Sequence, residues 1–189
     1  IKKLGGYYDQ LILVGYPPFI KDLADEASRY DVKWSDYRMR IINATESFTE
    51  EFRDYVAKKV GMKNPVNDYI NIYGSVELGA MAHETALTNL IRRIAVKNKQ
   101  AFKIIFNEAN RLPTLAQYRP DITYFEAIDG ELVATGHSSS IPLVRYRFHD
   151  RGGVIDFNDM VKRLKSCGID ILKEAKKYGV TATILKLPF

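Results

Sequence analysis

Two short stretches of this chain carry residue types that could hold a ligand. The first reads NIYGSVELG, residues 71–79. An apolar run over 69–73 stops at Gly74, and a hydroxyl residue and an acid follow. Tyr73 offers a flat face for a base. Gly74 permits close backbone approach. Ser75 offers a hydroxyl, and Glu77 could hold a metal ion that bridges phosphates. A plain strand, turn and helix cap accounts for the same letters. The second stretch reads PLVRYRFHDRGG, residues 142–153. Asp150 is expected in a polar turn after a short strand, where its carboxylate could accept two sugar hydroxyls. A simple turn before Gly152 and Gly153 is the alternative. Arg145 and Arg147 flank Tyr146 on one strand face, where one of them could pair with an acid.

These residues need elements to position them. Residues 11–15 read as a buried strand, and Pro17 and Pro18 are placed to open a helix at its first turn. Phe19, Ile20, Leu23, Ala24, Ala27 and Tyr30 then recur at helical spacing. Residues 39–42 form a second apolar strand that runs into the polar loop Asn43-Ala44-Thr45-Glu46. Ser47 and Glu50 have capping-box spacing. Phe48, Phe52, Tyr55, Val56 and Val60 mark the buried face of the helix that follows, and Gly61 is a natural terminator. Residues 69–73 make a third strand. Strand, helix, strand, helix, strand is the signature of an α/β fold with a mostly parallel sheet flanked by helices. In such sheets ligands lie beyond the carboxyl ends of the strands. The loops GYPPF, NATES and YGSVELG all leave those ends.

The pattern then changes. Residues 84–110 are helical, with Leu87, Leu90, Ile91, Ile94, Phe102, Ile105 and Phe106 at helical spacing. Pro113 and Pro120 bracket a connecting loop. Residues 122–135 alternate around Asp129-Gly130, a strong hairpin signal. Residues 142–146 and 153–155 are further short strands in a smaller β-rich section. The tail, 156–179, reads as two helices broken near Cys167-Gly168, and 181–185 as a last strand. Three segments are expected: an α/β part over 1–83, a helical insertion over 84–120, and a β-rich section with a helical tail over 121–189.

Composition excludes several classes. The 189 residues are 46% hydrophobic, with twelve Tyr and nine Phe, enough for a sizeable core and against disorder. The formal charge of +5 favours anionic partners. The basic residues are scattered, however, and the densest runs, 97–103 and 162–177, read as solvated helix faces rather than a nucleic-acid patch. One cysteine permits no internal disulfide, which fits a reducing, cytoplasmic setting. No run reaches membrane-spanning length. His83, His137, His149 and Cys167 do not have metal-ligand spacing. His83 with Glu84 reads as a cap or lining for the loop after Glu77. Ser138–Ser140 reads as a surface turn, and Trp34 as core.

Taken together and in order, the two clusters resemble the adenylate-forming enzymes, and within them the phenylacetate–CoA ligase-like branch. That branch carries Tyr-Gly-x-Thr-Glu, then Gly-Glu-Leu-Val, then Pro-Leu-Ile-Arg-Tyr-Arg-Thr-Gly-Asp. Here these stretches fall at 73–77, 130–133 and 142–150. GYPPF and NATES stand where the branch has a Gly-Tyr-Pro-Ser turn and a Gly-Gly-Glu loop. The resemblance covers roughly residues 11–155 and implies part of the large domain of such an enzyme.

The resemblance implies a set of roles. Tyr73 would stack on adenine, with Gly74, Ser75 and Val76 completing the nucleotide loop. Glu77 would be the catalytic acid that ligates Mg²⁺. Asp150 would hold the ribose hydroxyls, and Thr45 and Glu46 would lie near the adenine and the carboxylate pocket. The implied ligands are ATP or AMP, a small carboxylic acid, Mg²⁺ and, as co-substrate, coenzyme A. Four features depart from the branch. Its phosphate-binding threonine is Val76, its Thr-Gly before the aspartate is Phe148-His149, its Gly-Gly-Glu is Ala44-Thr45-Glu46, and the helical stretch 84–110 is longer. Neither an upstream Ser/Thr/Gly-rich phosphate loop nor a lysine-bearing carboxy-terminal domain is found. The chain, beginning with Ile1, is therefore expected to be the middle of a larger protein. An inactive nucleotide-binding or scaffold domain of the same ancestry is the first alternative. A basic nucleic-acid-binding domain, suggested by charge alone, is the second.

Overall fold

The computed structural model describes residues 1–107, 109–137, 141–180 and 186–189. The expected strand at 181–185 and the serine turn at 138–140 lie outside the described residues. Five strands form the main sheet in the order β1 (Leu11–Gly15), β2 (Met39–Ala44), β3 (Tyr69–Ser75), β4 (Gly79–His83) and β5 (Gln117–Tyr118). The first three run parallel, joined by helix α1 (Pro17–Glu26) and by helices α2 (Glu50–Lys59) and α3 (Pro65–Asp68). The last two are antiparallel additions, so the sheet is mixed.

Local chemistry explains these elements. Pro17 and Pro18 open α1, where the missing N–H costs nothing. Ile20, Ala24 and Ala27 are buried against the sheet, whereas Phe19 and Tyr30 of the same apolar spacing lie exposed. In β2, Met39, Ile41 and Asn43 face inward in strict alternation. Met39 and Ile41 join Trp34, Phe48, Val56, Val60 and Tyr69 in one core. Gly61 adopts a left-handed φ of 68° and ends α2 as expected.

The Ser47–Glu50 capping box does not form. Thr49 caps α2 instead, its side chain accepting a hydrogen bond from the Phe52 amide at 3.2 Å. Glu50 turns inward to meet Arg53 at 3.0 Å, because a buried guanidinium needs a carboxylate more than an exposed amide does.

Past β4, Thr85 and Thr88 cap helix α4 (Ala86–Lys97) reciprocally, and helix α5 (Lys99–Phe106) follows after Asn98. The second sheet is antiparallel: β6 (Thr123–Ile128), β7 (Glu131–Gly136) and β8 (Leu143–Arg151). Asp129 and Gly130 both take positive φ, 54° and 78°, as a two-residue hairpin turn requires. Two expectations here change. The short strand at 142–146 continues to Arg151, and 153–155 is not a strand. Ile155 instead exchanges two backbone hydrogen bonds with Phe189, at 2.8 and 2.9 Å.

Helices α6 (Phe157–Ser166) and α7 (Ile171–Lys177) break at Gly168, φ 76°. They share a core with α4 and α5 through Leu90, Ile91, Ile105, Met160, Leu164 and Ile171. A third core, built on Leu78, Met81, Tyr118, Phe125 and Ala134, joins the two sheets. Among the described residues no helix is long and apolar enough to cross a membrane.

Candidate functional site

The parallel register places Gly15 beside Asn43, and Ala44 beside Ile72. The loops after β1, β2 and β3 therefore leave one edge of the sheet, as the topology requires. The strand β3 does not lead into a helix. It folds back at once as a hairpin, with Ser75 paired to Gly79 and a register shift between Tyr73 and Gly74. A Cβ on Gly74 would lie 2.3 Å from the Gly79 carbonyl oxygen. The close approach that Gly74 allows is thus to its own hairpin. The Ser75 hydroxyl accepts a hydrogen bond from the Leu78 amide at 3.1 Å. Val76 stands fully exposed at the tip.

A buried charge network anchors the base of this hairpin. Glu84, read above as lining the loop after Glu77, turns inward and is buried, while His83 stays exposed. The Glu84 carboxylate accepts from Arg53 at 2.9 and 3.0 Å, from Arg92, and from the Asn71 amide at 2.8 Å. Burial works against the Arg53 charge, but Glu84 and Glu50 outweigh it and raise its pKa. From this network two bonds reach the loop after β2. The Asn71 side chain donates to the Glu46 carbonyl at 3.0 Å, and Arg92 donates to the Phe48 carbonyl at 2.6 Å. Thr45 and Glu46 are exposed on that loop.

The second cluster is not a turn. Asp150 lies within β8, on a bulge: β7 advances two residues from Val133 to Glu131 while β8 advances four from Arg147 to Arg151. Pairing with β7 extends the strand past the point where its letters turn polar, and the bulge re-aims the side chains. Arg145 pairs with Glu126 at 3.2 Å and Arg147 with Glu131 at 3.5 Å, so both arginines, not one, meet an acid.

Two departures from the resembled motifs gain a backbone explanation. Thr45 and His149 stand at glycine positions of those motifs, and both take left-handed φ, 75° and 62°. The chain keeps a glycine-like conformation there without glycine. For a β-branched residue such as Thr45 this is a strained state.

The structure brings the two clusters together. The Tyr73 hydroxyl donates to Asp150 Oδ2 at 2.6 Å across 77 residues of sequence. The Tyr146 hydroxyl donates to Glu77 Oε1 at 3.1 Å. Burial, then Asp150, raises the Tyr73 pKa and keeps its phenol protonated. The Glu77 backbone amide, Ser75 and Tyr146 lower the Glu77 pKa, so it is a carboxylate at neutral pH. Thr45 and Glu46 have no hydrogen bond to this pair; they adjoin it through Asn71 on β3. Among the described residues no three His, Cys, Asp or Glu side chains gather as a metal cage. A lone charged Glu77 suits a cation whose other ligands are phosphate oxygens and water.

Sequence reasoning missed Arg53, Arg92 and Tyr146. Arg53 carried a faint signal, its spacing of three from Glu50. Arg92 and Tyr146 carried none: Arg92 lies eight residues from Glu84, outside any helical pair spacing, and Tyr146 meets Glu77 across 69 residues.

No protein-family model matches the chain, and no curated protein is significantly similar to it. Among solved structures it is similar to 2-hydroxyisobutyryl-CoA ligase in an open conformation with 2-HIB-AMP and CoA. The TM-score is 0.56 at 13% identity, over 82% of this chain and 33% of that one. The same ligase in the postadenylation state with 2-HIB-AMP gives a TM-score of 0.55 at 14% identity, over 82% and 30%. The chain thus spans about a third of the length of these ligases. Its fold is similar to that of part of these CoA ligases.

Proposed function

We propose that this chain is the nucleotide-holding segment of an ATP-dependent carboxylate-activating ligase of the phenylacetate–CoA ligase-like branch. A substrate carboxylate attacks the α-phosphate of ATP, giving an acyl-adenylate and pyrophosphate; a thiol, that of coenzyme A, then displaces AMP. The observation that carries this reading is the 2.6 Å contact between Tyr73 and Asp150. Two residues singled out for base and ribose, far apart in sequence, meet on a fold shared with CoA ligases.

In this reading Tyr73 holds adenine and Asp150 accepts the ribose hydroxyls. Thr45 and Glu46 border the base and the carboxylate pocket, Gly74, Ser75 and Val76 shape the phosphate-side turn, and Glu77 holds Mg²⁺. When bound, Mg²⁺ supplies charge neutralisation at the phosphates. The chain's own contribution is placement, which a displacement at phosphorus needs. Residues 1–83 and 121–189 form the two walls of the site, and 84–120 supports them from behind. The phosphate loop and the catalytic lysine would belong to further polypeptide. Calorimetry with AMP tests the reading: Tyr73→Ala and Asp150→Ala each weaken binding about tenfold, as loss of a stacking or charged contact should. Absence of AMP binding by the unaltered chain refutes it.

A second reading, a nucleotide-binding domain without activity, is favoured by Val76. That side chain has no donor, and the neighbouring Ser75 hydroxyl is engaged twice, accepting from the Leu78 amide and donating to the Glu77 carboxylate. Nucleotide binding by the parent protein without pyrophosphate exchange in the presence of carboxylic acids would select it.

A further inference from the structure

The two bonds that close the site run in opposite directions. Tyr73 reaches from the main sheet to Asp150 on the second sheet, and Tyr146 reaches from the second sheet to Glu77 on the main sheet's hairpin. We infer that Tyr73 and Tyr146 are positioning residues, each phenol holding a ligand-binding carboxylate of the opposite sheet in its working orientation. The inference rests on the nucleotide-site reading above and assigns to the Tyr73 hydroxyl a task separate from stacking.

The geometry supports such a clasp. Asp150 and Glu77 are both exposed and project from a bulge and a hairpin tip, so neither is held by packing. Their phenol partners are held. Tyr73 is half-buried beside Phe125, ring centres 6.2 Å apart, and Tyr146 packs edge-on against Phe148 at 5.2 Å. A carboxylate offers about four lone-pair sites and a phenol occupies one, so acceptor capacity remains for ribose hydroxyls or a cation. A protonated phenol beside a carboxylate is a fixed donor; burial and the Asp150 carboxylate raise the Tyr73 pKa and keep it so. Pre-orienting the acceptor removes ordering cost from ligand binding. One such bond corresponds to about a three- to tenfold change in affinity.

The test is calorimetry on the whole chain with AMP and with 2′,3′-dideoxy-AMP, which lacks the hydroxyls Asp150 would accept. The unaltered chain prefers AMP. Tyr73→Phe keeps the ring and lowers that preference about three- to tenfold. Tyr146→Phe lowers the Mg²⁺ enhancement of ATP binding by a similar factor, about three- to tenfold. Preserved AMP preference in Tyr73→Phe, or equal loss for both nucleotides, overturns the positioning role while the nucleotide site stands. Unchanged Mg²⁺ enhancement in Tyr146→Phe does the same for the second phenol. If the unaltered chain binds neither nucleotide, the site reading falls and the clasp with it.

Discussion

Replacing Glu84 with glutamine keeps the side-chain shape and removes one charge from the centre of the network. Glu84 and Arg53 side chains are wholly buried, as is that of Arg92. With the charge gone, Arg53, Arg92 and the partly buried Arg93 would share Glu50, which lies 3.0, 3.5 and 3.2 Å from them. Breaking a buried pair from one side costs about 3–5 kcal/mol, because the remaining charge stays desolvated. Domains have only about 5–15 kcal/mol in total, so the loss is a large fraction. At about 2–4 °C per kcal/mol for this chain length, the midpoint of thermal unfolding should fall by about 6–20 °C. A thermal scan followed by circular dichroism measures that shift, and urea unfolding measures the free-energy loss, with the slope compared to separate stability from compactness. Glutamine retains an acceptor for the Asn71 amide, so the measured cost reports the charge together with the bonds from Arg53 and Arg92 that its NH2 cannot accept. The double variant Glu84→Gln/Arg92→Met removes both partners and should recover most of the loss. A single-variant cost below about 1 kcal/mol, or a double variant no better than the single, would refute the assignment of this network as a paired, charged anchor.

Thr45→Gly should stabilise the chain by up to about 1 kcal/mol, the left-handed penalty of an L residue less the extra entropy glycine loses on folding; a midpoint shift in urea towards instability would contradict the strain at φ 75°. Burial pushes the Tyr69 phenol up to about 12, against a smaller downward effect of the Asn43 amide. The raised folded value means the unfolded chain ionises first, so this contribution is full below about pH 10 and is lost as pH rises towards 12. Stability measured across that window should therefore fall with pH, and Tyr69→Phe should flatten the slope; an equal slope in both proteins would count against the burial effect.

Local letters told most where the physics is local. Pro17 and Pro18 set the start of α1, Asp129-Gly130 the hairpin turn, and Gly61 and Gly168 the helix ends, because fixed φ or freedom at positive φ acts within a few residues. The cap of α2 is not legible locally, because Ser47 and Thr49 are equally good caps in isolation. The choice depends on Glu50 turning inward to Arg53, and nothing in the hydroxyl pattern records a buried guanidinium. Asp150 is legible as a residue type but not in its setting within β8. Whether polar letters form a turn or a bulged strand depends on the partner strand β7, which local composition does not encode. The hairpin after Tyr73 is hidden for the same reason: Gly74 and Gly79 announce a bend, but the close approach of the Gly79 carbonyl to Gly74 exists only once β4 pairs back onto β3.

By itself the sequence determined the α/β alternation, the loops that leave one edge of the sheet, and the flat ring of Tyr73 and the carboxylates of Glu77 and Asp150 as the groups on which the nucleotide proposal rests. Only the tertiary structure decided that Tyr73 meets Asp150 and Tyr146 meets Glu77, since the core of Leu78, Tyr118, Phe125 and Ala134 sets how the two sheets pack. Periodicity arises from neighbours along the chain and can be read there; a contact across 77 residues arises from packing, and becomes visible only when the sheets are in place.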